Sequence, residues 1–458
     1  MAAIGSKRQR FVGDGNDSMR VTSLVRSLVD LPYVAKDGTR VHPSPGSVAS
    51  SRVAVQTDPD ASTCVAFVAS GGGVWRHAVP FAGGEDVAEG KEAMLKPTTV
   101  SDGVTTRVHA VRHRHEIQSI ALHDPRTVHG RDSTPSGGEE ATFTRLASAD
   151  ASGRCVVTLM RRDGDDGRTT PRQWFLIPES TRSPEVASVP GWTGVCFDPR
   201  DPNVVAVARR HAKTIDVFDG DRLVRSMRAP LHPNALCFVR PSDDAGDAGD
   251  AGVSGDADTR KDGNRCVSLI AVAEGNQLSL WDARAAERGG CVRRVTLCNR
   301  GQSLFAAAAG SSQGARGGGA VAFPKLKHGD PLVACAGAER GVHVLDVDRW
   351  SVVKRWPGAM KFDITQLAFS SASPDHCYVA GADYELLCGC WARGALAGGF
   401  AFRGDSRWLG VATASGGRDK DIVAGWCESG HLFAASVERT PHRDARDPPA
   451  KRARDEGA

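Results

Sequence analysis

Three segments of this 458-residue chain end in the same way. In each, polar and apolar residues alternate, and a large apolar residue followed by aspartate closes the segment: Thr214–Asp219, Gln277–Asp282 and Gly341–Asp346. Each comes shortly after a run of small apolar residues: Val204–Ala208, Leu269–Ala273 and Leu332–Ala336. A recurring unit of apolar strand, turn and alternating strand predicts a repeat architecture, because one unit cannot bury its apolar face alone.

The strand pattern recurs seven times between about residues 52 and 437. The units open at the following positions: Val53, His115, Trp192, Asn234, Ser303, Asp363 and Arg407. Short alternating strands separated by Gly and Asp turns favour an all-β protein. Radial closure of such units protects their strand edges. We therefore predict a single β-propeller with seven blades of four antiparallel strands.

Composition divides the chain into three parts. Residues 1–51 form an N-terminal segment that we expect to contribute a closing strand, and residues 52–437 form the propeller. Inside the propeller, residues 241–265 are acidic and rich in Gly and Ala, and residues 310–320 are rich in Gly and Ser. Both insertions contain too little apolar surface to fold, which predicts flexible loops. Residues 438–458 are charged and contain proline, which predicts a disordered basic tail.

Composition also argues against several classes of protein. No stretch approaches roughly 18 consecutive apolar residues, so we expect no transmembrane helix. The basic residues near the N-terminus are not followed by an apolar stretch, so we expect no secretory signal. The 12 cysteines lie singly, mostly in apolar strands, which is typical of reduced cysteines in an intracellular protein. The net charge of +4 is small for this length and argues against direct nucleic-acid binding.

Several segments resemble the WD40 repeat family. Leu280-Trp281-Asp282 contains the one intact Trp-Asp dipeptide, and His115–Ala121 is similar to the opening of the family's first strand. Leu146–Asp150 resembles its second strand, whereas Phe218 and Leu345 replace the tryptophan in other repeats. The resemblance covers about residues 52 to 437. It implies a WD40-like propeller that acts as a non-enzymatic scaffold for other proteins.

A propeller scaffold binds through loops held on a rigid ring, and the anchors of protein interfaces are mainly aromatic and arginine side chains. Our candidates for exposed aromatic anchors are Trp75, Trp192 and Trp408, which lie near predicted strand ends. The sequence does not identify the partner.

The segment Trp281-Asp282-Ala283-Arg284 supports a more specific hypothesis. It resembles the box through which some WD40 proteins dock on the adaptor of cullin-4 ubiquitin ligases. The resemblance implies that Arg284 is the docking cation, with Trp281 and Asp282 as its support. The acidic position of that box falls on Gly275, with Glu274 one place away. The alternative interpretation is an ordinary strand followed by an arginine.

A short basic run lies in the C-terminal tail. Lys451, Arg452 and Arg454 follow two prolines, and such runs are recognised by nuclear import receptors. We therefore expect a nuclear location, with the cytoplasm as the alternative if the run is only a solvated tail.

No set of residues predicts catalysis or a bound metal. Gly310–Gly314 matches the pattern of a nucleophile elbow, but the glycines after it disfavour the helix that this motif requires. His113 and His115 lack further ligands, and Cys377, Cys388 and Cys390 are better explained as core thiols. We expect no enzymatic activity, no cofactor, no metal and no small-molecule substrate.

Overall fold

The computed structural model is an all-β protein whose strands form seven sheets. It describes the following residues: 18–31, 51–56, 62–81, 87–88, 94–108, 113–124, 143–161, 172–178, 191–241, 269–285, 289–311, 329–417 and 419–440. No helix occurs in this part of the chain, and hence none that could cross a membrane. The prediction of a seven-bladed propeller with antiparallel blades is confirmed.

Each sheet is one blade, and its strands follow one another from the axis of the ring to the rim. Blade 1 comprises β2 (Val53–Gln56), β3 (Thr63–Ser70), β4 (Gly73–Pro80) and β6 (Val104–Arg107). Blade 2 comprises β7 (Ile117–His123), β8 (Phe143–Asp150), β9 (Cys155–Arg161) and β10 (Arg172–Leu176). Blade 3 comprises β11 (Thr193–Phe197), β12 (Val204–Arg209), β13 (Thr214–Asp219) and β14 (Arg222–Arg228). Blade 4 comprises β15 (Pro233–Val239), β16 (Leu269–Glu274), β17 (Gln277–Trp281) and β18 (Cys291–Thr296). Blade 5 comprises β19 (Leu304–Ser311), β20 (Pro331–Gly337), β21 (Val342–Asp346) and β22 (Ser351–Trp356). Blade 6 comprises β23 (Ile364–Phe369), β24 (His376–Gly381), β25 (Glu385–Cys390) and β26 (Ala395–Arg403). Blade 7 comprises β27 (Trp408–Gly417), β28 (Lys420–Cys427), β29 (His431–Thr440), β1 (Ser18–Leu28) and β5 (Thr98–Val100).

The blades form a closed ring. The first strand of every blade contacts the first strands of both neighbouring blades, so these strands encircle the axis. The second and third strands are buried on both sides by the adjacent blades: every residue of β20, β21, β24 and β25 is buried. Outermost strands such as β14 are largely exposed along one side. Burial on both faces explains the continuous apolar runs in the sequence.

The N-terminal strand lies in the last blade. β1 pairs antiparallel with β29, from Ser18 opposite Thr440 to Leu28 opposite His431. The outer edge of β1 is in turn covered by the short parallel strand β5 from the connection inside blade 1. At the centre of the ring, the Ser51 amide donates to the Gln118 carbonyl at 3.1 Å. An open ring would leave strand edges unpaired. The pairing of β1 covers the edge of β29, and the pairing of β5 covers the edge of β1.

A buried histidine ties the closing strand to blade 1. His77 Nε2 lies 3.0 Å from Ser27 Oγ of β1, and its Nδ1 lies 2.8 Å from Thr105 Oγ1 of β6. The side chain is fully buried. Burial lowers the pKa of His77 to about 4, so the imidazole is neutral at physiological pH.

The connections fall on two sides of the ring because successive strands run in opposite directions. We call the upper face the side that carries the turns between second and third strands and the connections between blades. The lower face carries the connections between first and second strands and between third and fourth strands.

Two predicted boundaries differ from the structure. β29 continues to Thr440, beyond the predicted start of the tail at residue 438, because it pairs with β1. Gly310 and Ser311, assigned to a flexible insertion, belong to β19 and pair with β20.

Candidate functional site

The predicted docking box lies where the third strand of blade 4 ends on the lower face. Trp281 is 1% exposed, and its indole donates to Ser279 Oγ at 2.8 Å. Asp282 Oδ1 accepts from the Arg284 amide at 2.8 Å, and Oδ2 lies 3.2 Å from Arg284 Nη2. The Arg284 side chain is 66% exposed. The tryptophan is thus part of the core, the aspartate orients the arginine, and the arginine faces solvent.

The turn that carries Arg284 is also held from the neighbouring blade. Arg225 Nη1, on the outer strand of blade 3, donates to the Ala283 carbonyl at 2.8 Å. Glu274 is the last residue of β16, on the upper face, where its carboxylate accepts from the Leu231 amide at 3.1 Å. The acidic residue near the box position is therefore a structural acceptor and lies on the opposite face from Arg284.

A similar Asp–Arg turn recurs in blade 5. Asp346 Oδ1 accepts from the Arg349 amide at 2.9 Å, and Oδ2 accepts from Arg349 Nη1 at 2.5 Å. The Arg349 side chain is 47% exposed. An arginine oriented by the closing aspartate is therefore a repeated feature of these blades, and the geometry alone does not distinguish Arg284.

Blade 2 contains a buried polar cluster at the positions that resemble the WD40 family. His113 Nε2 lies 2.9 Å from Ser148 Oγ, and Nδ1 lies 3.1 Å from Asp150 Oδ2. The side chains of His113 and Asp150 are fully buried. His115, which the sequence suggested as the opening histidine, is exposed. The structural histidine is thus two residues earlier, in the connection that precedes β7.

The three tryptophans proposed as exposed anchors are buried. Trp75, Trp192 and Trp408 are 2%, 5% and 4% exposed, because each packs between adjacent blades. That prediction is wrong. Among the described residues, Phe362 and Tyr384 are the two aromatic residues in the set of exposed large hydrophobic side chains.

Phe362 and Tyr384 lie in two neighbouring connections on the upper face, which are joined by a hydrogen bond from the Ala382 amide to the Asp363 carbonyl at 2.9 Å. Phe362 precedes the first strand of blade 6 and Tyr384 precedes its third strand, and they are 47% and 40% exposed. Lys361 Nζ lies 5.6 Å from the Phe362 ring centroid, and Arg340 Nη1 of blade 5 donates to the Lys361 carbonyl at 3.2 Å. We call Arg340, Lys361, Phe362 and Tyr384 the aromatic patch.

Two members of the aromatic patch have a left-handed backbone. The φ angles of Arg340 and Tyr384 are 63° and 69°, values that side-chain-bearing residues rarely adopt. The turns are held by hydrogen bonds, such as that from the Gly404 amide to the Tyr384 carbonyl at 2.8 Å. Residues persist in such conformations only where the surrounding structure holds them, and they are concentrated at binding sites.

A basic cleft lies on the upper face between blades 2 and 3. It is shallow and is lined by Trp192, Arg209, Arg210 and His211, among others. The guanidinium of Arg209 lies 3.1 Å from the carboxylate of the fully buried Asp216. Burial opposes both charges: it lowers the pKa of Arg209 and raises the pKa of Asp216. The ion pair forms part of the cleft wall, and Arg210 gives its rim a positive charge.

No protein-family model matches the chain, and no curated protein matches it. The seven-bladed fold is consistent with a WD40-like family, and the closer resemblance rests on the repeat residues themselves.

Sequence reasoning missed the aromatic patch. Met360-Lys361-Phe362 precedes a predicted strand, so an aromatic residue in a connection was the available signal of exposure. Tyr384 gave no such signal, because it directly precedes an apolar strand. The basic run at Lys451, Arg452 and Arg454 lies outside the described residues.

Proposed function

We propose that the protein is a non-enzymatic scaffold that binds other proteins through the upper face of its propeller. A seven-bladed propeller suits this role, because it presents loops on a ring that cannot easily deform. The observation that carries the proposal is the aromatic patch, where Phe362 and Tyr384 are exposed and Arg340 donates to the residue that precedes Phe362.

The composition of the patch favours a protein partner. Aromatic and arginine side chains are enriched among the residues that dominate interface energies, because they bury much area and also form hydrogen bonds. Lys361 and Arg340 add positive charge around Phe362. We therefore expect the partner to present an apolar pocket rimmed by acidic residues.

Replacement of Tyr384 by glycine tests this proposal without weakening the fold. Glycine removes the side chain, and it adopts a φ of 69° without strain. Because an interface anchor contributes about 2 kcal/mol or more, partner affinity should fall by about 30-fold. The measurement is quantitative affinity purification with mass spectrometry, followed by binding titrations with the recovered partner.

Lys213→Gly is the matched control. Lys213 also directly precedes the third strand of its blade, and its φ of 54° is similar, but it lies in blade 3. This variant should retain the partners that Tyr384→Gly and Phe362→Ala lose. Identical partner sets for wild-type protein, Tyr384→Gly and Phe362→Ala would refute the patch as the binding site.

The second candidate function is that of a substrate receptor of a cullin-4-type ubiquitin ligase. It is supported by the exposed Arg284, which Asp282 orients and which Arg225 supports through the backbone of its turn. Co-purification of the ligase adaptor should be lost in Arg284→Ala and retained in Arg349→Ala, the equivalent change in blade 5. Absence of adaptor from the wild-type sample, or equal recovery with Arg284→Ala, would reject this function.

We also propose that the scaffold acts in the nucleus. The support is the basic run of Lys451, Arg452 and Arg454 in a Pro-flanked segment. A fluorescent fusion should move to the cytoplasm when all three are replaced by alanine. A fusion that is cytoplasmic before the change, or nuclear after it, would contradict the proposal.

A further inference from the structure

Three metal-ligating side chains meet on the upper face where blade 4 connects to blade 5. Cys298 follows the outer strand of blade 4, Glu339 lies in the turn between β20 and β21, and His343 is the second residue of β21. Their ligand atoms all lie within 4.8 Å of one another, and no other such group of three occurs in the described part of the chain. The chain thus brings a thiol, a carboxylate and an imidazole together from two blades.

The surroundings of this group favour a defined site. Cys298 and His343 are 5% and 3% exposed, and the Glu339 side chain is 15% exposed. Glu339 Oε2 lies 2.9 Å from His343 Nε2, while its other oxygen accepts a hydrogen bond from Arg355 of the adjacent strand. Arg355 thereby fixes the orientation of the carboxylate from outside the group, as outer partners of metal ligands commonly do.

We propose that Cys298, Glu339 and His343 bind a zinc ion. Thiolate, imidazole and carboxylate are the ligands that zinc prefers, with bond lengths of about 2.0–2.3 Å. Tetrahedral geometry then requires ligand atoms about 3.3–3.7 Å apart, so side chains whose ligand atoms lie within 4.8 Å of one another would have to shift on binding. Two anionic ligands balance the charge of the ion. Three protein ligands leave a fourth position for water or a group from a partner.

A metal-free hydrogen-bonded cluster is the competing explanation. Blade 2 has such a cluster at a comparable place, where His113 contacts Ser148 and Asp150. The group of Cys298, Glu339 and His343 differs from the blade 2 cluster, because it contains a cysteine.

Cobalt binding provides the test. The full-length protein, stripped of metal with a chelator, is titrated with Co²⁺ and then with competing Zn²⁺. We expect one equivalent of Co²⁺ to give the visible bands of a tetrahedral site and a near-ultraviolet thiolate-to-cobalt band. Cys298→Ser should abolish the thiolate band, and Glu339→Gln, which keeps the side-chain size, should weaken Zn²⁺ binding by at least about 10-fold.

Cys291→Ser is the control, because Cys291 is a partly buried thiol on β18 outside the group. It should leave the titration unchanged, and circular dichroism should show that all variants are folded. Should Cys298→Ser not fold, the Glu339→Gln titration decides the question. Absence of stoichiometric binding by the wild-type protein, or binding that these variants do not alter, would overturn the proposal.

Discussion

Asp421 connects blades 6 and 7, and its replacement should destabilise the ring strongly. The residue is fully buried at the start of β28. Its Oδ2 accepts from Ser370 Oγ at 2.6 Å and from the Tyr378 hydroxyl at 2.7 Å, while Oδ1 accepts from the Ala372 amide at 3.1 Å. Ser371 donates to the same Oδ1 from its amide and its hydroxyl. The Asp421 carboxylate therefore accepts hydrogen bonds from the connection between β23 and β24 and from Tyr378 on β24.

The size of the effect follows from the donors that lose their acceptor. In Asp421→Ala, the hydroxyls of Ser370 and Tyr378 and the amide of Ala372 become buried donors without partners. Each such donor costs about 1–3 kcal/mol, and hydroxyl rotation keeps the cost near the lower end. We expect the free energy of unfolding to fall by about 4 kcal/mol. Tyr378→Phe removes one hydrogen bond and should cost about 1 kcal/mol.

Guanidinium unfolding, followed by fluorescence and circular dichroism with coincident transitions, measures these changes. The double variant of Asp421→Ala and Tyr378→Phe should cost no more than Asp421→Ala alone, because the phenol has already lost its acceptor. Asp419→Ala, at an exposed site two residues away, is the control and should change stability by less than about 0.5 kcal/mol. A cost below about 1 kcal/mol for Asp421→Ala, or strict additivity, would refute the reasoning.

Three further predictions concern stability. The pKa of His77 is 6.5 in the unfolded chain and about 4 in the folded protein. As the pH falls from 6.5 to 4, the unfolded chain binds a proton that the folded protein does not, so the free energy of unfolding decreases by about 3 kcal/mol. The pH profile of His77→Gln should be flatter between these two pH values. Arg284→Ala should change the free energy of unfolding by less than about 0.5 kcal/mol, because the arginine is largely exposed; a larger loss would give it a structural role. Deletion of residues 1–28 removes β1 and should abolish a single cooperative thermal transition, whereas persistence of that transition would show that β29 does not need its partner.

The repeating strand pattern was sufficient to predict the fold. Runs such as Leu332–Ala336 are apolar throughout because neighbouring blades cover both sides of a middle strand. Polar and apolar residues alternate along β17, which ends at Trp281. Asp282 follows it because the chain turns there on the lower face, where the aspartate accepts a hydrogen bond from the Arg284 amide. These patterns are local, and local patterns can be read from the order of residues.

The sequence could locate Trp281, Asp282 and Arg284 near a strand end but not establish what they bind. The exposure of Arg284 agrees with its expected surface position, and Trp281 is the buried support of the strand. Whether the box binds an adaptor stays a prediction. The exposed tryptophans were a wrong expectation, since the large apolar surface of Trp75 or Trp408 is removed from water once adjacent blades pack together.

By itself, the sequence determined that the chain forms a propeller, because the blade is a local unit whose apolar strands must be covered by copies of itself. Tertiary structure decided which side chains meet. The pairing of β1 with β29 joins residues from opposite ends of the chain, and Cys298 reaches Glu339 and His343 only because two blades stack side by side. Exposure of Phe362 and Tyr384 likewise depends on turns brought to one face by ring closure. Such contacts join distant parts of the chain, and no local pattern of residues encodes them.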